Sequence, residues 1–182
     1  YYVMNTLTQG DNNVGMGSVT MQFNSTGGNN TAIGMSALRY NQTGSNNVAV
    51  GVYSQRGASG QSHSNNTSVG ASSLYSNTTG SSNTAVGTES LKALTVASGN
   101  TALGIYAGFK LIDGSFNVLL GASAGENLDT NTNHNVMVGY QSGEHGDGAT
   151  VASVRNAYVG YQSGRYLDDG QDNVAIGYQS MY

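Results

Sequence analysis

Cysteine, proline and tryptophan are all missing from this chain of 182 residues. Without cysteine there is no disulfide and no thiolate metal site, and the redox compartment stays open. Charge is scarce too. Asp, Glu, Lys and Arg make up 9% of the residues, against roughly 25% in ordinary globular domains. The six basic residues (Arg39, Arg56, Lys92, Lys110, Arg155, Arg165) are scattered along the chain, and the formal net charge is −4. Such a scatter makes no basic patch to neutralise phosphates, so nucleic acid is not an expected partner. Eight of the ten acidic residues come from Asp113 onward, which reads as a solvated surface. No run of 18 apolar residues occurs, so membrane insertion by this segment is not expected. Heptads are absent as well, which excludes a coiled-coil stalk within the segment.

What the chain does have is Gly, Asn, Ser and Thr, a composition that fits disorder unless something orders it. A phased repeat does so. The stretch Asn30-Thr31-Ala32-Ile33-Gly34 returns, strictly or loosely, in ten copies. Each copy keeps an Asn four residues before a Gly: Asn13 with Gly17, Asn30 with Gly34, Asn47 with Gly51, Asn66 with Gly70, Asn83 with Gly87, Asn100 with Gly104, Asn117 with Gly121, Asn135 with Gly139, Asn156 with Gly160 and Asn173 with Gly177. The glycines lie 17, 17, 19, 17, 17, 17, 18, 21 and 17 residues apart. A short fixed period is the signature of a stacked repeat fold.

Each copy reads as a short strand running into a glycine corner. The residues three and one before the Gly are mostly β-branched or aliphatic and share one face of a strand. They are expected to fill the core, as Ile33, Val50 and Val86 do in this reading. The residue between them is small in early copies (Ala32, Ala49, Ser68, Ala85, Ala102) and bulkier later (Leu119, Met137, Tyr158). Three residues past the corner the side chain is always small, from Thr20 and Ala37 to Ser163 and Ser180. A second short strand packed at close range is the expectation there, followed by a polar loop. The segment from Ser90 to Ala97 has some helical character, but it keeps the 17-residue spacing and is read as part of a coil. The whole is expected to be all-β, a parallel β-solenoid of about ten coils of 17–21 residues. Residues 1–9 read as a partial coil continuing from a preceding repeat, and 10–182 as the array, cut in mid-repeat. Stacked copies of the Asn suit an amide ladder.

A narrow coil gives a second expectation. One thin aliphatic row contributes about 1.5–3 kcal/mol per fully buried side chain, while each ordered residue costs about 1–2 kcal/mol of backbone entropy. That margin favours burying a further face against sister chains.

Departures from the period are where recognition is expected. The 19- and 21-residue steps carry extra residues around 57–64 and 143–153, which must leave the stack as loops. Candidate receptor contacts are therefore Gln61 and His63 in the first loop, and Glu144, His145 and Asp147 in the second. Tyr53 and Tyr106, two residues past their corners, join them as exposed rings. No His pair has metal-ligand spacing, and Asp168, Asp169 and Asp172 read as a solvated loop, so no metal or cofactor is expected. No nucleophile–base–orienter set, Gly-x-Ser-x-Gly elbow or phosphate-cradling loop occurs, so the chain is not expected to be an enzyme.

The Asn-Thr-Ala-Ile-Gly copies resemble the head repeats of trimeric autotransporter adhesins of the YadA type. They are equally similar to repeats in phage and viral tail fibres, above all Asn135-Val136-Met137-Val138-Gly139-Tyr140-Gln141-Ser142 and Asn173-Val174-Ala175-Ile176-Gly177-Tyr178-Gln179-Ser180. The resemblance spans nearly the whole chain. It implies a left-handed β-roll, a homotrimer, an extracellular place on a virion or bacterial surface, and a host glycan or protein receptor. The copies here are longer than the usual adhesin head repeat, and no family binding motif maps onto particular residues. Two other readings stand beside this one: an ice- or crystal-binding solenoid using Thr31, Thr67, Thr84 and Thr101, and a polysaccharide-cleaving tail spike.

Overall fold

A computed structural model of the chain describes residues 9–144, 153–166 and 170–181. It contains ten three-residue strands: β1 (Val14–Met16), β2 (Thr31–Ile33), β3 (Val48–Val50), β4 (Thr67–Val69), β5 (Thr84–Val86), β6 (Thr101–Leu103), β7 (Val118–Leu120), β8 (Val136–Val138), β9 (Ala157–Val159) and β10 (Val174–Ile176). They form one sheet in sequence order, with every neighbouring pair parallel and in register. The fold is an all-β, ten-turn parallel β-solenoid. Nine steps of about 4.8 Å make a rod of roughly 43 Å. Among the described residues no helix is long and apolar enough to cross a membrane.

Each strand ends at its glycine for two physical reasons. The corner takes φ near +130°, as at Gly34 and Gly87, which L side chains avoid. The corners also stack so closely that a Cβ on Gly17 would lie 2.7 Å from the backbone of Gly34. The expected second strand is absent among the described residues. The chain instead winds through turns, with positive φ two and four residues past the corner, as at Ser36 and Leu38 or Glu89 and Leu91. Bonds within the turn (Ala37 N–H to Gly34 O, 3.2 Å) alternate with bonds to the next coil (Leu38 N–H to Ser54 O, 3.1 Å). Small residues past the corner fit this tight winding: Ala37, Ser54, Ser73 and Ser90 are all fully buried.

The strand faces are the reverse of the expectation. The middle residue of each strand points into the coil, and Ala32, Ala49, Ser68, Ala85, Ala102, Leu119, Met137 and Tyr158 are all completely buried. The flanking aliphatic residues point outward: Met16 is 62% exposed, Leu103 52% and Ile176 71%. Alternation separates two faces without saying which is inside. Here the interior behind the strand has room for a small side chain, because the turn brings another row up against it.

That row lies four residues past the corner, and it trades volume with the strand. In the early coils it holds Met21, Leu38, Leu74 and Leu91, all fully buried opposite small strand residues. From the sixth coil it holds Gly108, Gly125, Gly143 and Gly164, and the strand residues grow to Leu119, Met137 and Tyr158. A Cβ on Gly164 would lie 2.6 Å from the Tyr158 ring, and one on Gly125 2.6 Å from Leu128 Cδ1. In coil six both Ala102 and Gly108 are small, and Leu91 and Leu119 of the neighbouring coils fill the space, each with a methyl 2.7 Å from where a Cβ on Gly108 would lie. The interior is thus filled from the strand, the turn or an adjacent coil, as close packing requires.

One layer breaks the apolar filling. Gln55 and Ser68 take positions held elsewhere by Leu and Ala, and His63 takes the place of the glycine seven before the corner. The layer splits the buried apolar side chains into two clusters, Met21–Ala49 and Leu74–Ala175. Within it Gln55 Nε2 donates to Val48 O at 2.8 Å and to Ser68 Oγ at 2.9 Å.

Asparagine fixes the register of all ten coils. Each Asn Oδ1 accepts the backbone N–H of the next Asn, an unbroken series from Asn13 to Asn173 at 2.9–3.0 Å. The side-chain amides bond to one another as well, as in Asn100 Nδ2 to Asn83 Oδ1 at 3.1 Å. The second amide proton reaches the carbonyl seven residues before the following corner, such as Gly114 O from Asn100 at 2.8 Å. A buried primary amide thus has its donors and acceptor satisfied. The row runs straight through the 19- and 21-residue steps, and the extra residues of the 19-residue step are shed to the surface at 58–60.

Candidate binding edge

Five and six residues past the corners, side chains point outward along one lateral edge of the rod. The backbone stacks this edge directly: Phe23 N–H bonds Arg39 O, Tyr40 bonds Arg56, Gly57 bonds Tyr75, Ser76 bonds Lys92, Ala93 bonds Phe109 and Lys110 bonds Glu126, at 2.9–3.2 Å. The basic residues, scattered in sequence, are therefore gathered in space. Arg39, Arg56, Lys92 and Arg165 lie five past a corner and Lys110 six past. This corrects the expectation of a scattered set: five of the six basic residues share one pair of rows.

Aromatic rings interleave with the cations. Phe23 and Tyr40 stack with centroids 5.1 Å apart and planes 5° from parallel. The Arg39 guanidinium carbon lies 5.0 Å from the Tyr40 centroid and 5.9 Å from that of Phe23. Arg56 lies 4.9 Å from Tyr40 and 5.4 Å from Tyr75. Arg39 Nε donates to Gln22 Oε1 at 2.9 Å, and Arg56 Nη1 donates to the Tyr75 hydroxyl at 3.1 Å. Stacking of this kind favours flat, weakly hydrated guanidinium groups. From Asn12 to Thr88 the sequence has no Asp or Glu, so no carboxylate within these coils competes for the two arginines.

Further along the edge the character changes from ladder to hollow. A cavity of about 330 Å³ is lined by Ser76, Lys92, Ala93, Phe109, Lys110, Ile112 and Asp129. Lys92 pairs with Glu89 at 3.0 Å and sits 5.2 Å from the Phe109 centroid. Asp129 Oδ1 is buried with no hydrogen bond among the described residues. The cavity therefore combines a ring, ammonium donors and a carboxylate acceptor, the mixture that polar ligands with an apolar face require.

The residues singled out from sequence fall in different places. Tyr53 is exposed and meets Tyr75 edge to face at 6.2 Å; Tyr106 meets Phe109 in the same way at 5.6 Å. Both thus flank the edge. Gln61 is half-buried in the first protruding loop, whose exposed tip is 58–60. His63 is not a surface residue: it is 2% exposed and faces the interior, which removes it as a receptor contact. Burial pushes its pKa down to about 4, with only partial compensation from the Gln55 backbone. Neither ring nitrogen makes a hydrogen bond of good geometry. Glu144 is held by Arg165 at 2.9 Å; burial raises its pKa and Arg165 opposes the rise. His145 and Asp147 lie outside the described residues, as do Asp168 and Asp169. Asp172 pairs with Arg155 at 2.6 Å, which lowers the carboxyl pKa. Among the described residues no three His, Asp or Glu side chains cluster so as to hold a metal ion.

The edge itself was missed in the sequence because its residues were counted along the chain. Counted from the corners, Arg39, Arg56, Lys92, Lys110, Tyr40, Tyr75 and Phe109 share two offsets. A second aromatic column, one past the corner, stacks Tyr140, Tyr161 and Tyr178 at 5.5 and 5.3 Å. Beside it Gln179, Gln162 and Gln141 bond amide to amide at 2.9 and 2.8 Å. Comparison with protein-family models, curated proteins and solved structures finds no match to the chain.

Proposed function

We propose that this rigid β-solenoid is a structural and receptor-binding segment of a trimeric extracellular fibre, a viral or phage tail fibre first and a bacterial surface adhesin second. The observation that carries the reading is the outward face of the sheet. Its rows include Met16, Ile33, Val69, Leu103, Val159 and Ile176, all exposed, and beside them Met35, Val52 and Ile105 one past the corner. A contiguous apolar face of this extent on a single chain fits an interface. Sister copies are the favoured occupant because the face repeats with the coil period, as a shared rod axis requires. In this reading the chain is non-catalytic: it spaces and displays, and a host glycan or protein is held on surfaces away from the axis.

The test is the assembly state. Light scattering and crosslinking should give a trimer for the native chain. Val86→Lys with Leu103→Lys should give a folded but dissociated chain, since both side chains point away from the coil interior. A folded native monomer at micromolar concentration sinks the trimer.

A second reading has one observation in its favour. Thr31, Thr67, Thr84 and Thr101 point out of the sheet rather than in, on one register row that Val48 interrupts between Thr31 and Thr67 and Val118 ends after Thr101. A flat outward Thr row suits ice or crystal binding. The neighbouring outward row is aliphatic from Met16 to Ile176, which favours burial against protein. A thermal-hysteresis assay separates the two.

A further inference from the structure

We infer that the lateral edge from Phe23 to Asp129 is a binding site for an acidic glycan, with anionic groups on Arg39 and Arg56 and a sugar ring in the cavity at Phe109. The inference deepens the attachment role proposed above by naming the chemistry of the ligand and the surface that takes it. It rests on that role.

Three observations converge. The first is preorganisation. Arg39 and Arg56 are half-buried and both lie over Tyr40, at 5.0 and 4.9 Å from its centroid, Arg39 also near Phe23 of the coil before and Arg56 near Tyr75 of the coil after. Rings flank them, and what they offer a ligand is their N–H donors. Each guanidinium has five N–H donors, and the bonds to Gln22 and the Tyr75 hydroxyl use one apiece. The remaining forks match the two oxygens of a carboxylate or sulfate, and they are already ordered, so little entropy is lost on binding.

The second is the charge environment. The arginines sit in a stretch with no carboxylate from Asn12 to Thr88, although the whole chain is net negative. Among the described residues three other cations are matched: Lys92 by Glu89, Arg155 by Asp172, Arg165 by Glu144. Arg39 and Arg56 are set into aromatic rings instead of against acids. An edge built only to be stiff has no need of positive charge without a counterion.

The third is the cavity on the same stacked rows. The step from Arg39 to Lys110 covers four coils, about 19 Å along the axis, which suits a short oligosaccharide lying parallel to the rod. Phe109 provides an apolar platform for the ring face. Ammonium groups donate, and the Asp129 carboxylate stands in the lining as an acceptor for hydroxyls. A carboxylate in the hollow disfavours a ligand charged at every unit and favours one that alternates acidic and hydroxyl groups. Nucleic acid fits poorly for that reason. Its phosphates repeat without interruption, and Glu89 and Asp129 stand among the cations.

The experiment uses the full chain and four polymers: hyaluronate and kappa-carrageenan, which carry a carboxylate or a sulfate on every second sugar, neutral dextran, and oligo(dT), compared by calorimetry at low and physiological salt. Binding to hyaluronate or kappa-carrageenan, and not to neutral dextran, is expected; which acid binds tells carboxylate from sulfate. Arg39→Gln with Arg56→Gln should weaken it at least about tenfold. Phe109→Ser should weaken it without changing its salt dependence. Lys at both arginine positions keeps the charge but loses the fork, and should recover only part of the affinity. If the Gln variant fails to fold, the salt series on the native chain decides, because binding indifferent to salt overturns the site. So do no binding to either acidic polymer, binding unchanged in the arginine variant, or tighter binding of oligo(dT). Light scattering on the same samples keeps the two proposals apart. A trimer that binds no acidic polymer loses this site and keeps its assembly; a monomer that binds one loses the trimer and keeps the site.

Discussion

The early and late coils share one backbone and fill it in opposite ways. Coil five sets Ala85 on the strand and Leu91 on the turn; coil seven sets Leu119 on the strand and Gly125 on the turn. All of these residues except Gly125 belong to one buried cluster. The coil therefore demands a volume and is indifferent to which segment supplies it. The same contrast appears seven residues past the corner, where early coils bury Asn24, Asn41 and Asn77 and later ones Leu94, Leu111 and Leu128. Early coils have an interior richer in hydrogen bonds, and late coils one richer in apolar contact. The His63–Gln55 layer sits on the early side of the change.

The contrast can be broken most severely by mixing the two patterns in one coil. Gly125→Leu should destabilise the chain by about 3 kcal/mol or more, because its new Cβ falls on Leu128 and Leu119. Leu119→Ala alone should cost about 2–5 kcal/mol. The double variant converts coil seven to the pattern of coil five, and should recover at least about 1 kcal/mol of the summed loss in denaturant titrations. Strict additivity would refute the exchange of volumes.

Acid should find the polar layer first. The folded pKa of His63 is about 4, against roughly 6.5 unfolded. Stability from its neutral burial is complete above about pH 6.5. It drains as the pH falls, because the unfolded chain takes the proton first, and about 3 kcal/mol is gone by pH 4. His63→Gly restores the glycine found at this offset in Gly44 and Gly80 and should flatten the pH dependence of unfolding over that window. An unchanged slope would show that the acid response lies elsewhere.

Next in size is the amide row, which crosses both halves. Asn100→Ala leaves Gly114 O, the Asn117 N–H and one Asn117 amide proton without their partner and removes one of the two donors to Asn83 Oδ1, and should cost about 2–3 kcal/mol by thermal or chemical denaturation. Asn47→Ala in the early half should cost about the same if the row is uniform. The smallest effect belongs to the outward face. Val69→Lys and Val159→Lys should each change the stability of a dissociated chain by only about 0.5 kcal/mol. A loss of several kcal/mol at either position would mean that the strand face is buried within the chain after all.

Much of this architecture is legible in the sequence. The spacing of Asn and Gly locates every strand to within a residue, and Asn at a constant offset is a sound reason to expect an amide ladder. Three things escape it, each for a physical cause. Which strand face is inside depends on what the turn brings opposite, and Leu38 or Leu91 past the corner decides that for Ala49 and Ala102. The second strand was expected because Leu38, Tyr53 and Leu91 are residue types that do not announce positive φ. The binding edge depends on stacking, so Arg39 and Arg56 become neighbours only once the coil length between them is treated as a closed turn.

The asparagine row has a mechanical meaning as well. Between Asn13 and Asn173 every amide is held by the coil before it and the coil after it, so the rungs are linked in series along the axis. Tension applied along the rod is then shared equally by all of them, and the rod gives where one rung has the least apolar packing beside it. That place is the layer of His63, Gln55 and Ser68. Pulled from its ends, the molecule should snap open at this layer and peel in both directions, like a zip with a chosen starting tooth, rather than lengthen evenly.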